Sequence, residues 1–533
     1  MVGSYWWLLL VGIGLGLLAH VVLRIRSGAA ARRSAGPGQE PGSVGSPAPI
    51  TRRRAIGLAV TGATSLTAGS TGWIDRGGGP GGRLEAAVSG QRLRQGAVID
   101  SRDGRLEVEL VAAPGATVAG RITSALGFNG TTPGPTLRVR PGDELALRLI
   151  NRLAQPTNLH THGLRVSPSG NSDNPFVRVE PGTSFDYLIQ IPDDHPTGTF
   201  WYHPHHHGTA ADQQFAGLAG ALLVVPRSTD ANQALPQQQA VEELILLVSD
   251  ITLRGDGAVV APSGTDRLLG RQGRLVLVNG QHQPTIAAVP GATGRWRIIN
   301  ACTSRVLVLH LRGHKLTQTA LDGSELPAPV ERDTVILAPG NRADILVRAG
   351  SVGTYDLITD IFDRGHFGTR SSTAKPEVLA TLVVDGAPVE STGPPRPAGG
   401  GIPDLTTTAT TFRQIGLTML MRGGRMSFGI DNRLFDPDRD DQHVALGTTE
   451  IWTITNYGPL VHPFHLHAWP FVVLAGSDGS PPTGVAQDVV LVPARGWIRI
   501  RISFTGHGGR SVYHCHVVDH SDAGMMATVN VVT

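Results

Sequence analysis

The chain is 533 residues long but carries only two cysteines, Cys302 and Cys515, so at most one disulfide can form and a disulfide-stapled scaffold is excluded. Lysine is nearly absent, occurring only at Lys315 and Lys375, and this bias towards arginine reads as codon composition rather than function. Net charge is small at +3 and unevenly placed, since residues 1–94 hold 11 Arg against 3 acidic residues. The basic excess therefore belongs to a leader, and no nucleic-acid partner is expected. Long amphipathic helical patterns are scarce after residue 100. Glycine (68) and proline (37) are instead abundant, which suits many short strands and tight turns. An all-β chain with two to four domains is expected, because this length exceeds what a single core sustains.

The N-terminus reads separately. Tyr5 to Leu23 is an apolar stretch containing one His (His20), long enough to cross a bilayer. Arg24, Arg26, Arg32 and Arg33 follow it, which would keep the next segment in the cytoplasm. Residues 34–50 are rich in Gly, Pro and Ser and read as a linker. Thr51-Arg52-Arg53-Arg54, followed by an apolar run, resembles a twin-arginine export signal over about 51–70. Residues 69 to about 95 read as a disordered spacer. The expectation is export across the cytoplasmic membrane, with the rest of the protein either released or held at the membrane by its N-terminus.

A strand grammar then occurs three times. Thr136-Leu137-Arg138-Val139-Arg140-Pro141-Gly142-Asp143 leads into Leu145, Leu147 and Leu149 at period two, the mark of a half-buried strand. Val289-Pro290-Gly291 precedes Arg295-Trp296-Arg297-Ile298-Ile299-Asn300, and Ala445-Leu446-Gly447 precedes Glu450-Ile451-Trp452-Thr453-Ile454-Thr455-Asn456. The repeat resembles cupredoxin-type folds and implies three Greek-key β-sandwiches. The expected domains are 96–235, 236–395 and 396–533 after a leader of 1–95, with Pro-rich Thr392–Pro397 as a linker. Cys302, at the end of the middle repeat's strand, reads as a small buried hydrophobe.

Four short segments collect half of the histidines: His160-Thr161-His162, Trp201-Tyr202-His203-Pro204-His205, His462-Pro463-Phe464-His465-Leu466-His467, and His514-Cys515-His516 with His520 beyond. Residues two apart on a strand share a face, so paired imidazoles can aim at one point. Imidazoles suit copper or zinc, and one thiolate with two imidazoles and a weak thioether suits blue copper. Cys515, His520 and Met525 follow one another at intervals of five, and His462 can complete that set.

Together these segments resemble the multicopper oxidases, the family of laccases, cuprous oxidases and spore-coat oxidases, over about residue 100 to the end. The resemblance implies four coppers per chain. A blue type 1 copper would be held by His462, Cys515 and His520 with Met525 axial, and a type 2 copper by His160 and His465. A binuclear type 3 pair would take His162, His203, His205, His467, His514 and His516. The cluster would lie between the first and third domains, each giving four histidines. Cys515 would join the two sites, since His514 and His516 project to the face opposite its thiol. The implied partners are dioxygen and a small reducing substrate, a phenol or a metal ion.

Other candidates are weaker. His206 and His207 fall outside the pattern, Trp201 and Tyr202 are expected to pack around the cluster, and His282, His310 and His314 read as packing or surface residues. Asp173 resembles the family's acidic residue near the cluster. Ser521 replaces a glutamate often found after the second type 1 histidine, and Asp519 or Asp522 are the candidate substitutes in proton transfer. Met419, Met421 and Met426 are too few to predict a copper-binding lid. A laccase-like phenol oxidase is therefore the first reading and a cuprous, ferrous or manganous oxidase the second. A non-catalytic cupredoxin-repeat envelope protein is disfavoured because all twelve ligand positions are filled, and a nitrite reductase would not need His514 and His516.

Overall fold

The computed structural model describes residues 88–227, 242–366, 375–390, 407–409, 411–422, 425–479, 482 and 484–533. The apolar stretch, linker and twin-arginine segment of the leader lie outside the described residues. Among the described residues, no helix is long and apolar enough to cross a membrane.

Among the described residues, the strands other than the short pair Thr117–Val118 and Arg121–Ile122 form three pairs of sheets, each pair closing on its own apolar core. In the first, the five-stranded sheet runs in the order Val98–Asp100, Thr136–Val139, Gly220–Val224, Gly198–His203, His160–His162, and a four-stranded sheet shares its core. The middle pair has seven and five strands, and the third has two sheets of five. The period-two pattern decides what each core contains. Leu145, Leu147 and Leu149 are buried in the first core, and Trp296 and Ile298 in the second. Ile498, Ile500 and Ile502 enter the third while Arg499 between them stays exposed. Each such burial stabilises by about 1.5–3 kcal/mol. Among the described residues, three short helices interrupt this pattern: α1 (Ala210–Phe215), α2 (Gly264–Leu269) and α3 (Val518–Asp522).

The sequence repeat has a structural meaning. Gly142, Gly291 and Gly447 open the three repeats with φ of +82°, +83° and +84°, a left-handed turn that favours glycine. The asparagine ending each strand then ties down the loop after it. Asn151 donates to the carbonyls of Gln155 and Val179, Asn300 to those of Arg305 and Leu337, and Asn456 to those of Leu460 and Val492. Each side-chain oxygen accepts from the amide two residues on. The third of these loops leads directly into His462.

One expectation is corrected. The end of the supposed disordered spacer is ordered, because it pairs with an edge strand of the middle sandwich. Arg92 bridges Thr285, the Leu93 amide donates to the Thr285 carbonyl at 2.8 Å, and Leu93 packs against the middle core. An unpaired sheet edge supplies partners that composition does not reveal.

Candidate metal centre

Strand register brings the histidine segments together. His160–His162 runs antiparallel to Gly198–His203, setting His162 opposite Trp201 and His160 opposite His203. His462–Leu466 runs antiparallel to Gly509–Cys515, setting His465 opposite His514 and Phe464 opposite Cys515. Alternation then sends Cys515 into the third core beside Met525, while His514 and His516 turn towards the first sandwich.

Eight imidazoles meet between the first and third sandwiches. His160, His162 and His465 offer ring nitrogens within 4.8 Å of one another. So do His162, His203 and His516, and separately His205, His467 and His514. The six residues expected at a binuclear pair thus divide into two triads, each drawing on both sandwiches. A fourth group lies apart from these. His462 Nδ1 is 3.3 Å and His520 Nδ1 3.9 Å from Cys515 Sγ, and the two nitrogens are 3.3 Å apart. Met525 lies in the same core as Cys515 and its carbonyl accepts from the Cys515 amide, whereas Met526 is not part of that core.

The donors fit copper. His160 donates through Nδ1 to Asp173 at 2.9 Å, and His465 through Nδ1 to the Asp488 carbonyl at 2.7 Å. Both are left with a buried Nε2 that has no hydrogen-bond partner, and His516 has none at either nitrogen. Buried lone pairs left unmatched are costly, and a borderline metal ion matches an all-imidazole set. Burial, reinforced by the neighbouring imidazoles, holds His162, His203, His205, His465, His467 and His516 well below the usual imidazole range. Burial also lowers His514 to about 4 and His462 to about 3. The rings just named therefore offer lone pairs at neutral pH. Burial pushes the Cys515 thiol up, so a bound cation is what would favour its thiolate.

The remaining candidates separate clearly. Asp173 is buried, receives His160 and also accepts from the Thr161 amide at 2.8 Å. Asp519 is held by Arg271 at 3.0 Å, and Asp522 accepts from the amides of Gly208 and Ala211 at the start of α1. Both carboxylates are thus engaged in joining elements to one another, and Ser521 is buried beside them. Trp201 stacks on His203 at 4.2 Å, as expected. Tyr202 does not join the cluster: strand alternation turns it into the first core, where its hydroxyl donates to Pro135. His206 pairs with Arg178 and His207 rests on Phe435. His310 pairs with Asp360, and His314 accepts from the Gly350 amide. Cys302 is a buried free thiol in the middle core. Two residues escaped the sequence reading. Asp488 touches His162 and His465, and Arg342 clamps Asp488, yet neither belongs to a histidine segment or lies near one in the chain.

Sequence models described as multicopper oxidase match residues 111–229, 232–387 and 405–533. A multicopper oxidase, mco, of Staphylococcus haemolyticus is 27% identical over 417 residues, covering 77% of this chain and 84% of that protein. The cell division protein FtsP of Edwardsiella tarda is 30% identical over 432 residues, covering 78% and 85% respectively. Among solved structures, a multicopper oxidase from Campylobacter jejuni described as a metallo-oxidase superposes with a TM-score of 0.73 at 26% identity, covering 84% of this chain and 96% of that one.

Proposed function

The chain belongs to the multicopper oxidase family, and from that premise we propose that it couples one-electron oxidation of a phenol-type reductant to four-electron reduction of dioxygen. The observation that carries this reading is the pairing of two imidazole triads with a separate thiolate–imidazole group, joined through His514-Cys515-His516. His462, Cys515 and His520, with Met525, would hold the type 1 copper. His160 and His465 would hold the type 2 copper, and the two triads the type 3 pair. Bound copper supplies the chemistry, taking single electrons from the reductant and delivering them to dioxygen. The protein's own part is positional. Cys515 sits one peptide unit from each flanking imidazole, so the two sites share a short covalent path. Asp173 holds a proton at Nδ1 of His160 and keeps Nε2 free for metal.

A second reading, oxidation of a metal ion, is favoured by three thioethers. Met421 faces Met426 across a hairpin and both are exposed, while Met419 packs against the third core. A Cβ placed on Gly458 would lie 3.1 Å from Met419 Sδ and 3.6 Å from His462 Nε2, so the Met419 thioether lies close to the type 1 group. A non-catalytic role as a cupredoxin-repeat envelope protein is opposed by the complete ligand set. The leader supports export, which cell fractionation tests directly.

Copper analysis with visible absorption on the purified protein tests the main reading. About four coppers per chain and a strong thiolate-to-copper band are expected. A colourless, copper-free protein after loading would sink it. Steady-state rates with a phenol and with cuprous, ferrous or manganous ions then separate the two substrate readings.

A further inference from the structure

We propose that Asp488, clamped by Arg342 of the middle sandwich, is a positioning residue that selects the tautomer of His162 and makes this imidazole present Nδ1 rather than Nε2 to the cluster. The proposal rests on the reading of that cluster as a copper site.

Five of the eight cluster imidazoles have an acceptor outside the cluster, and four of them use Nδ1 for it. His160 donates to Asp173, His203 to the Pro204 carbonyl, His465 to the Asp488 carbonyl and His514 to the Cys515 carbonyl. His162 is the exception. Its Nε2 lies 2.9 Å from Asp488 Oδ1, and its Nδ1 lies 3.4 Å from His203 Nε2, inside the triad with His516.

The acceptor is rigid. Arg342 Nη1 donates to Asp488 Oδ1 at 2.6 Å and Nη2 to Oδ2 at 2.8 Å, and neither side chain reaches solvent to any extent. A carboxylate receiving this two-pronged pair can take from His162 only a donated proton. Arg342 is itself held, donating through Nε to the Thr199 carbonyl and through its amide to Asp322. Asp488 also governs a second ligand through its main chain, because His465 donates to its carbonyl and stacks on His162 at 4.0 Å. Gly340, two residues before Arg342, brings the middle sandwich against the cluster: a Cβ there would stand 3.0 Å from His162 Cε1. Among the described residues the middle sandwich supplies no ligand, yet through Arg342 it orients one.

Asp488→Asn keeps the shape and removes the second acceptor. Either orientation of the amide sets its NH2 against a donor, Arg342 Nη2 on one side or His162 and Arg342 Nη1 on the other. Copper affinity at the His162, His203 and His516 triad should fall by about 10- to 100-fold, the usual cost of losing an outer partner of a ligand. Copper per chain then drops and the spin-silent type 3 pair becomes detectable by EPR, while the type 1 band is retained. A merely structural role would weaken both sites together, and that outcome overturns the proposal, as does a variant with full copper and a silent pair. Folding of the variant is not required for a decision. Nitrogen-15 NMR of the copper-free wild-type protein, labelled at histidine, should find the proton of His162 on Nε2 and those of His160, His203, His465 and His514 on Nδ1. A His162 proton on Nδ1 overturns the proposal, whereas a wild-type protein that takes up no copper overturns the proposed function and leaves the tautomer result standing.

Discussion

Replacing His195 with glutamine should make the protein less sensitive to acid by an amount that the surroundings of this one imidazole set. His195 is 4% exposed and lies edge-on to Phe200. Its Nε2 accepts from the Arg165 amide at 3.0 Å and its Nδ1 donates to the Pro196 carbonyl at 2.9 Å, so a second proton would face an N–H. Burial accordingly lowers its pKa from 6.5 to about 4. A lowered pKa means that the stability is complete above the unfolded value and is lost as pH falls from about 6.5 towards about 4. The full loss is about 3 kcal/mol, and about 2 kcal/mol of it is already felt near pH 5. The amide of His195→Gln can accept from Arg165 and donate to Pro196 without titrating. Urea unfolding of both proteins near pH 8 and near pH 5 should show the wild type losing about 2 kcal/mol more than the variant. A native His195 that titrates by NMR near its ordinary pKa, or an equal acid response of the two proteins, would refute the reasoning.

Cys515→Ser is expected to abolish the thiolate-to-copper band and substrate oxidation while the eight cluster histidines still bind copper; turnover that survives would refute the assigned role of Cys515. Gly340→Ala introduces a Cβ 3.0 Å from His162 Cε1 and 3.2 Å from His516 Cδ2 at a φ of +94°. Copper analysis should show cluster copper lost with the type 1 band kept, and undiminished copper would contradict the close packing. Trp452→Ala empties the centre of the third core and strips Glu450 of an indole donor at 2.7 Å. A loss of about 3–5 kcal/mol in thermal or urea unfolding follows, and a loss under about 1 kcal/mol would mean the core collapses around the gap.

The fold and the metal centre were unequally legible. The strands that carry Leu145 to Leu149 and Ile498 to Phe504 could be read directly, because one buried face writes a period of two into the residues themselves. The same rule, applied within a single motif, should have sent Trp201 and Tyr202 to opposite faces. The spacer before Gln95 misled for a different reason: its order comes from an edge strand nearly 200 residues away, at Thr285, and its own polar composition gives no sign of it. Asp519 and Asp522 read as candidates for proton transfer because they flank His520, and only their distant partners, Arg271 and the amides of Gly208 and Ala211, reveal how they are held.

The sequence by itself determined which side chains could share a face: two imidazoles flanking Cys515, two around Thr161, and a thiol with a histidine and a methionine at intervals of five. These are consequences of covalent spacing along a strand or a short turn, and no tertiary contact is needed to state them. Tertiary structure decided how the imidazoles divide into triads and which nitrogen each one turns inward. That choice depends on the acceptor waiting behind each ring, and for His162 the acceptor is Asp488, 326 residues away and itself held by Arg342 of the middle sandwich. Proton placement on a buried ring follows the nearest fixed acceptor, and only folding brings that acceptor near.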